Sequence, residues 1–145
     1  MVALVWVPVA GGGRATQNAL MRPSVVRVAR LADPVGAADG VRVLVERFWP
    51  RGVGRTVVLD GWYRGLAPSD SLLTWYGHDP ERFGEFGERY RGELRLVDRV
   101  AALGRLRLRL RVLAGGGVVT LLTGSGSPGI SSAAVLAEVV AELSD

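Results

Sequence analysis

The sequence contains no cysteine and no lysine, and its only histidine is His78. The missing cysteine excludes disulfides, thiolate nucleophiles and cysteine-ligated zinc or iron–sulfur centres. The missing lysine excludes Schiff-base catalysis. Any acid–base role for an imidazole therefore falls on His78. No apolar run approaches the ~18–20 residues that cross a bilayer, so we expect no membrane partner. The residues indicate no metal site and leave any cofactor unknown.

What is present is typical of one small globular domain. The chain has 145 residues, of which 48% are hydrophobic and 22% are charged, so it can bury a real core. Residues 1–20 begin with a short apolar run and continue through three consecutive glycines. We expect them to form a disordered or mis-started extension. A single α/β domain is expected over residues 21–145.

Hydrophobic patterning predicts three buried strands and several helices. The strands are expected over residues 24–28, 41–45 and 118–122, and short helices over 60–66 and 71–76. Asp79 and Pro80 predict the start of a longer helix, and a last helix is expected over 131–143. Residues 105–112 alternate like a strand, but the leucines at 103, 106, 110 and 113 follow helical spacing and favour a helix. This order predicts a small, mostly parallel sheet covered by helices.

In a parallel sheet, binding sites form in the loops that follow the carboxyl ends of the strands. This rule brings together residues 47–54 and residues 123–129. In the first loop, Arg47 and Arg51 can present guanidinium groups to a phosphate or carboxylate, and Trp49 can stack on a base. Alternatively, the two arginines pair with Glu46, Asp60 or Asp79 while Trp49 fills the core.

The second loop, residues 124–129, has the glycine spacing of a dinucleotide-binding loop. The sequence shows no later strand to supply the acid that binds a ribose, and no lysine for a P-loop. The remaining expectation is that amides near Gly124 and Gly126 hold an anion at a helix N-terminus. The alternative is a flexible surface turn.

His78 is the candidate catalytic residue. It lies just before a predicted helix, where Asp79 or Glu46 can be its acid–base partner. A capping or ligand-orienting role fits the same position equally well. Trp75, three residues earlier, is a second candidate for stacking on a base.

Residues 91–111 carry seven arginines against two acids. Such a stripe can bind nucleic acid weakly and without sequence preference, or can be a solvated helix face. No helix-turn-helix or basic-aromatic motif accompanies it.

Four segments in fixed order resemble the YeaO-like proteins, a bacterial family of unknown function numbered four-eight-eight. The segments are residues 42–52, 59–62, 66–69 and 75–83. The resemblance implies a compact α/β fold and a cytoplasmic protein, and it supplies no activity. The functional candidates that it implies are Arg47, Trp49, Pro50, Arg51, Trp62, Trp75, Gly77, His78 and Asp79. Relatives usually carry Asp at the position of Glu46, and many carry polar, charged or histidine residues in the last loop. If the family's chemistry depends on that loop, the resemblance implies that this member retains binding alone.

Three functional hypotheses follow. The first is a small cytosolic domain that binds a nucleotide or another small anionic ligand through its arginine and tryptophan loop. The second is a hydrolase or transferase in which His78 is the general acid or base. The third is weak, sequence-independent binding of nucleic acid. The sequence does not indicate the oligomeric state.

Overall fold

A computed structural model of the chain describes residues 25–114 and 117–143. The extension expected over residues 1–20 lies outside the described residues. Within those ranges the strands are β1 (Val25–Arg30), β2 (Val41–Leu44), β3 (Gly61–Trp62) and β4 (Val118–Thr123). The helices are α1 (Asp70–Tyr76), α2 (Phe83–Glu93), α3 (Val97–Ala114) and α4 (Ser132–Leu143). Single 3-10 turns form at Arg64–Leu66, Pro80–Arg82 and Pro128–Ile130.

The four strands form one parallel sheet in the order β1-β4-β2-β3. β4 lies in the middle, where Val119 is in register with Val26 of β1 and with Val41 of β2. The chain is therefore a single-domain α/β fold with a small parallel sheet, as the sequence predicts. Because β2 and β4 are neighbours, their carboxyl ends open at the same edge of the sheet.

The two faces of the sheet are covered differently. On one face, which we call the helix face, strand residues such as Val28, Val43 and Leu121 pack against the helices in one large core. On the other, which we call the loop face, Leu44 and Leu122 pack with Leu31 and with residues of the connection between β2 and β3. Within the described ranges the connections from β1 to β2 and from β2 to β3 contain no helix. Long loops thus take the place of the helices that usually cover the second face of a parallel sheet.

The helices begin and end where the sequence provides caps. The Ser69 hydroxyl accepts a hydrogen bond from the Leu72 amide at the start of α1, and Gly77 ends α1 with a left-handed φ of 55°. The Asp79 carboxylate accepts from the Glu81 amide at 3.0 Å, which confirms the predicted cap. The first turn after it is a 3-10 turn, and regular α2 begins at Phe83.

One predicted helix is wrong in its first half. Residues 60–66 were expected to be helical, yet Gly61 and Trp62 pair with Val43 and Leu44 as a short parallel strand. Pairing with β2 outweighs the local pattern here because it places the Trp62 ring over the loop face. By contrast, the helix predicted over 105–112 is confirmed as part of α3, with Leu103 and Leu106 buried. The side chains at 110 and 113, predicted to continue this stripe, lie outside the description.

Candidate functional site

The two loops predicted to converge do meet, and a cleft of about 620 Å³ lies between them. One wall is residues 46–51, after β2, and the other is residues 123–127, after β4. The start of α4 and His78 complete the rim, and Leu73, Tyr76, Phe86 and Ile130 form the apolar floor. A volume of this size is within the ~300–1,000 Å³ that small-molecule sites occupy.

Glu46 ties the two loops together. Its Oε1 accepts hydrogen bonds from the Thr123 hydroxyl at 2.6 Å and from the Gly124 amide at 3.2 Å. Its backbone carbonyl accepts from the Trp62 indole at 2.6 Å. The Thr123 oxygen accepts in turn from the Ser125 amide at 3.1 Å. Glu46, predicted as an acid–base partner, thus holds loop against loop with one oxygen. Thr123 lies in the second predicted loop, and its bond to Glu46 has no local signal in the sequence.

A second contact between the loops is steric. A Cβ atom added to Gly124 would lie 2.8 Å from the Cβ and Cγ atoms of Pro50, closer than real side-chain contacts come. Only glycine therefore permits the Pro50 ring to rest on the chain here. Gly124, predicted to offer its amide to an anion, already donates that amide to Glu46. Gly126 is exposed at the cleft and has open space around its α-carbon.

Both predicted arginines line the cleft, but they are held differently. Arg47 donates from Nη2 to the Pro68 carbonyl at 3.3 Å, and its Nε lies 3.5 Å from an Asp70 carboxylate oxygen. Arg51 is exposed, and within the described part of the chain no hydrogen bond or ion pair engages its guanidinium. Neither arginine forms the ion pair with Glu46, Asp60 or Asp79 that was the alternative expectation; the carboxylate near Arg47 is that of Asp70.

The segment that receives Arg47 explains one of the shared motifs. The carbonyls of Leu66, Ala67 and Pro68 accept from the side chains of Tyr90, Arg99 and Arg47 respectively. The next residue, Ser69, donates its amide to the Glu93 carboxylate at 2.8 Å. The motif at 66–69 is therefore a hub of hydrogen bonds between α1, α2 and α3. Its donors lie far along the chain, so no local signal could identify them.

The predicted tryptophans are largely occupied by the fold. Trp49 donates from its indole nitrogen to the Val53 carbonyl at 2.8 Å and meets Trp62 edge-on at 5.5 Å. Trp49 lines the cleft, whereas Trp75 does not. The Trp75 ring instead lies beneath the guanidinium groups of Arg89 and Arg82, at 4.3 and 5.3 Å from its centroid.

His78 lines the cleft and is exposed, and it adopts a left-handed φ of 58°, which is unusual for a residue with a side chain. Its ring centroid is 6.0 Å from that of Tyr76. The neighbouring Asp79 caps the turn that follows, lies 3.7 Å from Arg82 and is not part of the cleft lining. His78 and Asp79, which were predicted to act as a pair, are thus adjacent in sequence, but His78 lines the cleft and Asp79 does not.

The cleft floor offers few free hydrogen-bonding groups. The Tyr76 hydroxyl donates to the Ile130 carbonyl, and burial raises the pKa of Tyr76, so the phenol stays neutral. The Ser131 hydroxyl donates to the Pro128 carbonyl at 2.6 Å and accepts from an amide at the start of α4. These bonds stabilise the turn before α4 and use the donor hydrogens of both hydroxyls.

The arginine stripe does not form one continuous cationic face. Arg91 forms ion pairs with Glu138 and Glu142 of α4 at 2.8 and 3.0 Å, and Arg99 is bonded to the Ala67 carbonyl. Arg95 and Arg105 are exposed. The side chains of Arg109 and Arg111 lie outside the description.

Two absences hold for residues 25–114 and 117–143. No three His, Asp or Glu side chains there are grouped so as to hold a metal ion. None of the described helices is both long enough and apolar enough to cross a membrane.

The fold and cleft define a small α/β domain with an arginine-lined site at the carboxyl edge of a parallel sheet. The chain belongs to the family described as the inactive DUF488-N3 subclade, whose model matches residues 25–145. Uncharacterised proteins of Mycobacterium tuberculosis and Mycobacterium bovis are each 43% identical to it over 122 residues, which is 83% of this chain and 98% of each relative. The uncharacterised YeaO protein of Escherichia coli is 36% identical over 70 residues, or 48% of this chain and 61% of YeaO. The resemblance to YeaO-like proteins is thereby confirmed. No solved structure matches the chain.

Proposed function

We propose that the chain binds a small anion, of the phosphate or carboxylate class, in the cleft between the loops after β2 and β4. The observation that carries this proposal is the exposed guanidinium of Arg51, which lines the cleft without a partner in the described part of the chain. A fork of N–H donors directed at one anion forms charge-assisted, bidentate hydrogen bonds.

The balance of charge in the lining supports the same conclusion. Arg47, Arg51 and His78 lie around the cleft, and Glu46 is the one carboxylate among the lining residues of the described chain. One oxygen of Glu46 is already held by Thr123 and Gly124. The start of α4 adds the positive end of a helix dipole to the opposite rim. An anion in the cleft would therefore meet mostly positive partners.

Binding without turnover is better supported than a hydrolase or transferase. In the described chain no carboxylate is hydrogen-bonded to His78, and the carboxylates proposed as its partners are engaged elsewhere: Glu46 with Thr123, and Asp79 with the turn that it caps. The description of the subclade as inactive favours the same choice. Nucleic-acid binding through residues 91–111 is the weakest candidate, because Arg91 and Arg99 are both bonded within the chain.

The test is a titration of the chain with inorganic pyrophosphate, followed by amide chemical shifts. We expect the shifts to change mainly in residues 46–51 and 124–127. The Arg51→Ala substitution should weaken binding by about 10- to 150-fold, since one charge-assisted contact contributes roughly 1.5–3 kcal/mol.

The matched control is Arg105→Ala, which removes the same charge from an exposed position on α3 outside the cleft. It should leave the affinity unchanged within about twofold, because Arg105 does not line the cleft and salt screens the interactions of exposed charges. Equal weakening in the two variants would show only a response to net charge. If millimolar pyrophosphate changes no amide chemical shift, the proposal is contradicted.

A further inference from the structure

We infer that the ligand is an aromatic phosphate monoester, and that Phe48 is the residue that binds its ring. This inference rests on the proposed anion binding and names the chemical class of the ligand. It places the phosphate at the arginines and the ring at the exposed aromatic side chain between them in sequence.

Phe48 is the first observation. Its side chain is 71% exposed, although phenylalanine is usually buried, and it lines the cleft between Arg47 and Trp49. The other large exposed apolar side chains of the described chain are aliphatic and lie outside the cleft: Val35, Val58, Leu96, Val100 and Leu108. The cleft lining therefore includes an exposed aromatic side chain together with the guanidinium of Arg51, which has no partner in the described residues.

The tryptophans expected to stack on a base are less suited to that role. Trp49 is half-buried, with its edge contact to Trp62 on one side and the Arg55 guanidinium 5.0 Å from its centroid. Trp75 is covered by Arg89 and Arg82 and lies outside the lining. Among the phenylalanine, tyrosine and tryptophan side chains that line the cleft in the described residues, Phe48 is the exposed one.

The apolar floor of the cleft determines how it can contact an aromatic ring of a ligand. Leu73 and Ile130 offer apolar surface, and the hydroxyls of Tyr76 and Ser131 are bonded to backbone carbonyls. A ring over this floor is thus held mainly through its face. Ring–ring contact of this kind strengthens binding without demanding a particular base.

The experiment compares three probes by chemical-shift titration of the full chain: inorganic phosphate, phenyl phosphate and adenosine monophosphate. Phenyl phosphate should bind about tenfold more tightly than inorganic phosphate, which is the usual size of one stacking contact. In the Phe48→Ala variant that ratio should fall to about one, while the affinity for inorganic phosphate stays within about twofold. Leu108→Ala, a matched loss of exposed apolar surface at a residue outside the cleft, should leave the ratio unchanged.

The outcomes separate this inference from the proposal beneath it. Equal affinity for phosphate and phenyl phosphate would overturn the aromatic class and leave anion binding intact. A gain for adenosine monophosphate without one for phenyl phosphate would also overturn it, because the cleft would then read the base or the ribose. A ratio that survives in Phe48→Ala would overturn the role of Phe48. Failure of all three probes to bind would remove both inferences. If phenyl phosphate binds more tightly than inorganic phosphate, adenosine monophosphate does not, and Phe48→Ala removes the difference, the ligand is an aryl phosphate other than a nucleotide.

Discussion

The two faces of the sheet are built with different chemistry. On the helix face the buried groups are almost entirely apolar, and Phe86, Tyr90 and Leu136 are fully buried there. On the loop face a small apolar cluster is accompanied by the buried pair of Arg42 and Asp39. The first face is held by apolar area, and the second combines a smaller apolar cluster with directional hydrogen bonds.

This difference assigns separate tasks to the two faces. Apolar burial is non-directional and roughly proportional to area, so the helix face supplies most of the stability. Directional bonds fix loop conformation, and the connection that covers the loop face also supplies Arg47, Phe48 and Arg51 to the cleft. Changes on the helix face should unfold the chain, whereas changes on the loop face should act through charge and loop geometry.

The largest effect is expected from Phe86→Ala. Phe86 is fully buried and stacks on Tyr76 at a centroid distance of 4.2 Å. Its removal should lower the free energy of unfolding by about 3–5 kcal/mol, measured by denaturant titration. Phe48→Ala is the matched control, since it makes the same change at an exposed position and should cost less than about 0.5 kcal/mol. Similar losses in the two variants would contradict the contrast between buried helix face and exposed loop.

A loss of about 3 kcal/mol is expected from Asp39→Asn, because it leaves the guanidinium of Arg42, which is 3% exposed, without its charged partner. The hydrogen bond from the Gly36 amide, aided by Arg42 against the opposing effect of burial, holds the pKa of Asp39 below its ordinary value of 3.8. Because the folded-state pKa is depressed, the stabilisation is complete above 3.8 and is lost as the pH falls through the folded-state pKa.

The difference between wild type and Asp39→Asn in the free energy of unfolding should therefore narrow in acid, measured by denaturant titration between neutral pH and about pH 2. Asp33→Asn is the control, since its carboxylate pairs with Arg30 at an exposed site and should contribute little. If the difference in the free energy of unfolding stays constant down to acid pH, the ionised carboxylate of Asp39 does not stabilise the loop face.

The topology of the site could be predicted from the sequence, because it depends on rules of local order. Two buried strands followed by helices, a third strand and a last helix imply a mostly parallel sheet, and the rule for strand ends then places Arg51 and Gly126 at one edge. Arg51 could be located without knowing a single side-chain contact. Local reasoning also gives the cap at Asp79, since this carboxylate acts on an amide two residues away.

What could not be predicted depends on register and on distant partners. The bond between Glu46 and Thr123 joins residues 77 positions apart and requires Leu44 to align with Leu122. β3 has two residues, too few to show a periodic pattern, so its assignment as helix had no local contradiction. The absence of helices from the described loop face has the same cause: periodicity shows that a loop exists, but not which surface it covers.

The smallest effect is expected from Gly124→Ala, and it acts on the loops alone. Its new Cβ would meet the Pro50 ring at 2.8 Å, so the ring and the loop that carries Arg51 must move. We expect a loss of about 1–3 kcal/mol in the free energy of unfolding, typical of overpacking, together with weaker binding of pyrophosphate. Gly126→Ala is the matched control, because nothing lies within 4 Å of its added Cβ and no left-handed φ is required there. If Gly126→Ala weakens binding as much while stability is unchanged, the ligand occupies the space at residue 126. If Gly124→Ala leaves both stability and affinity unchanged, the contact between the loops does not position Arg51, and the division of tasks between the two faces fails at the cleft.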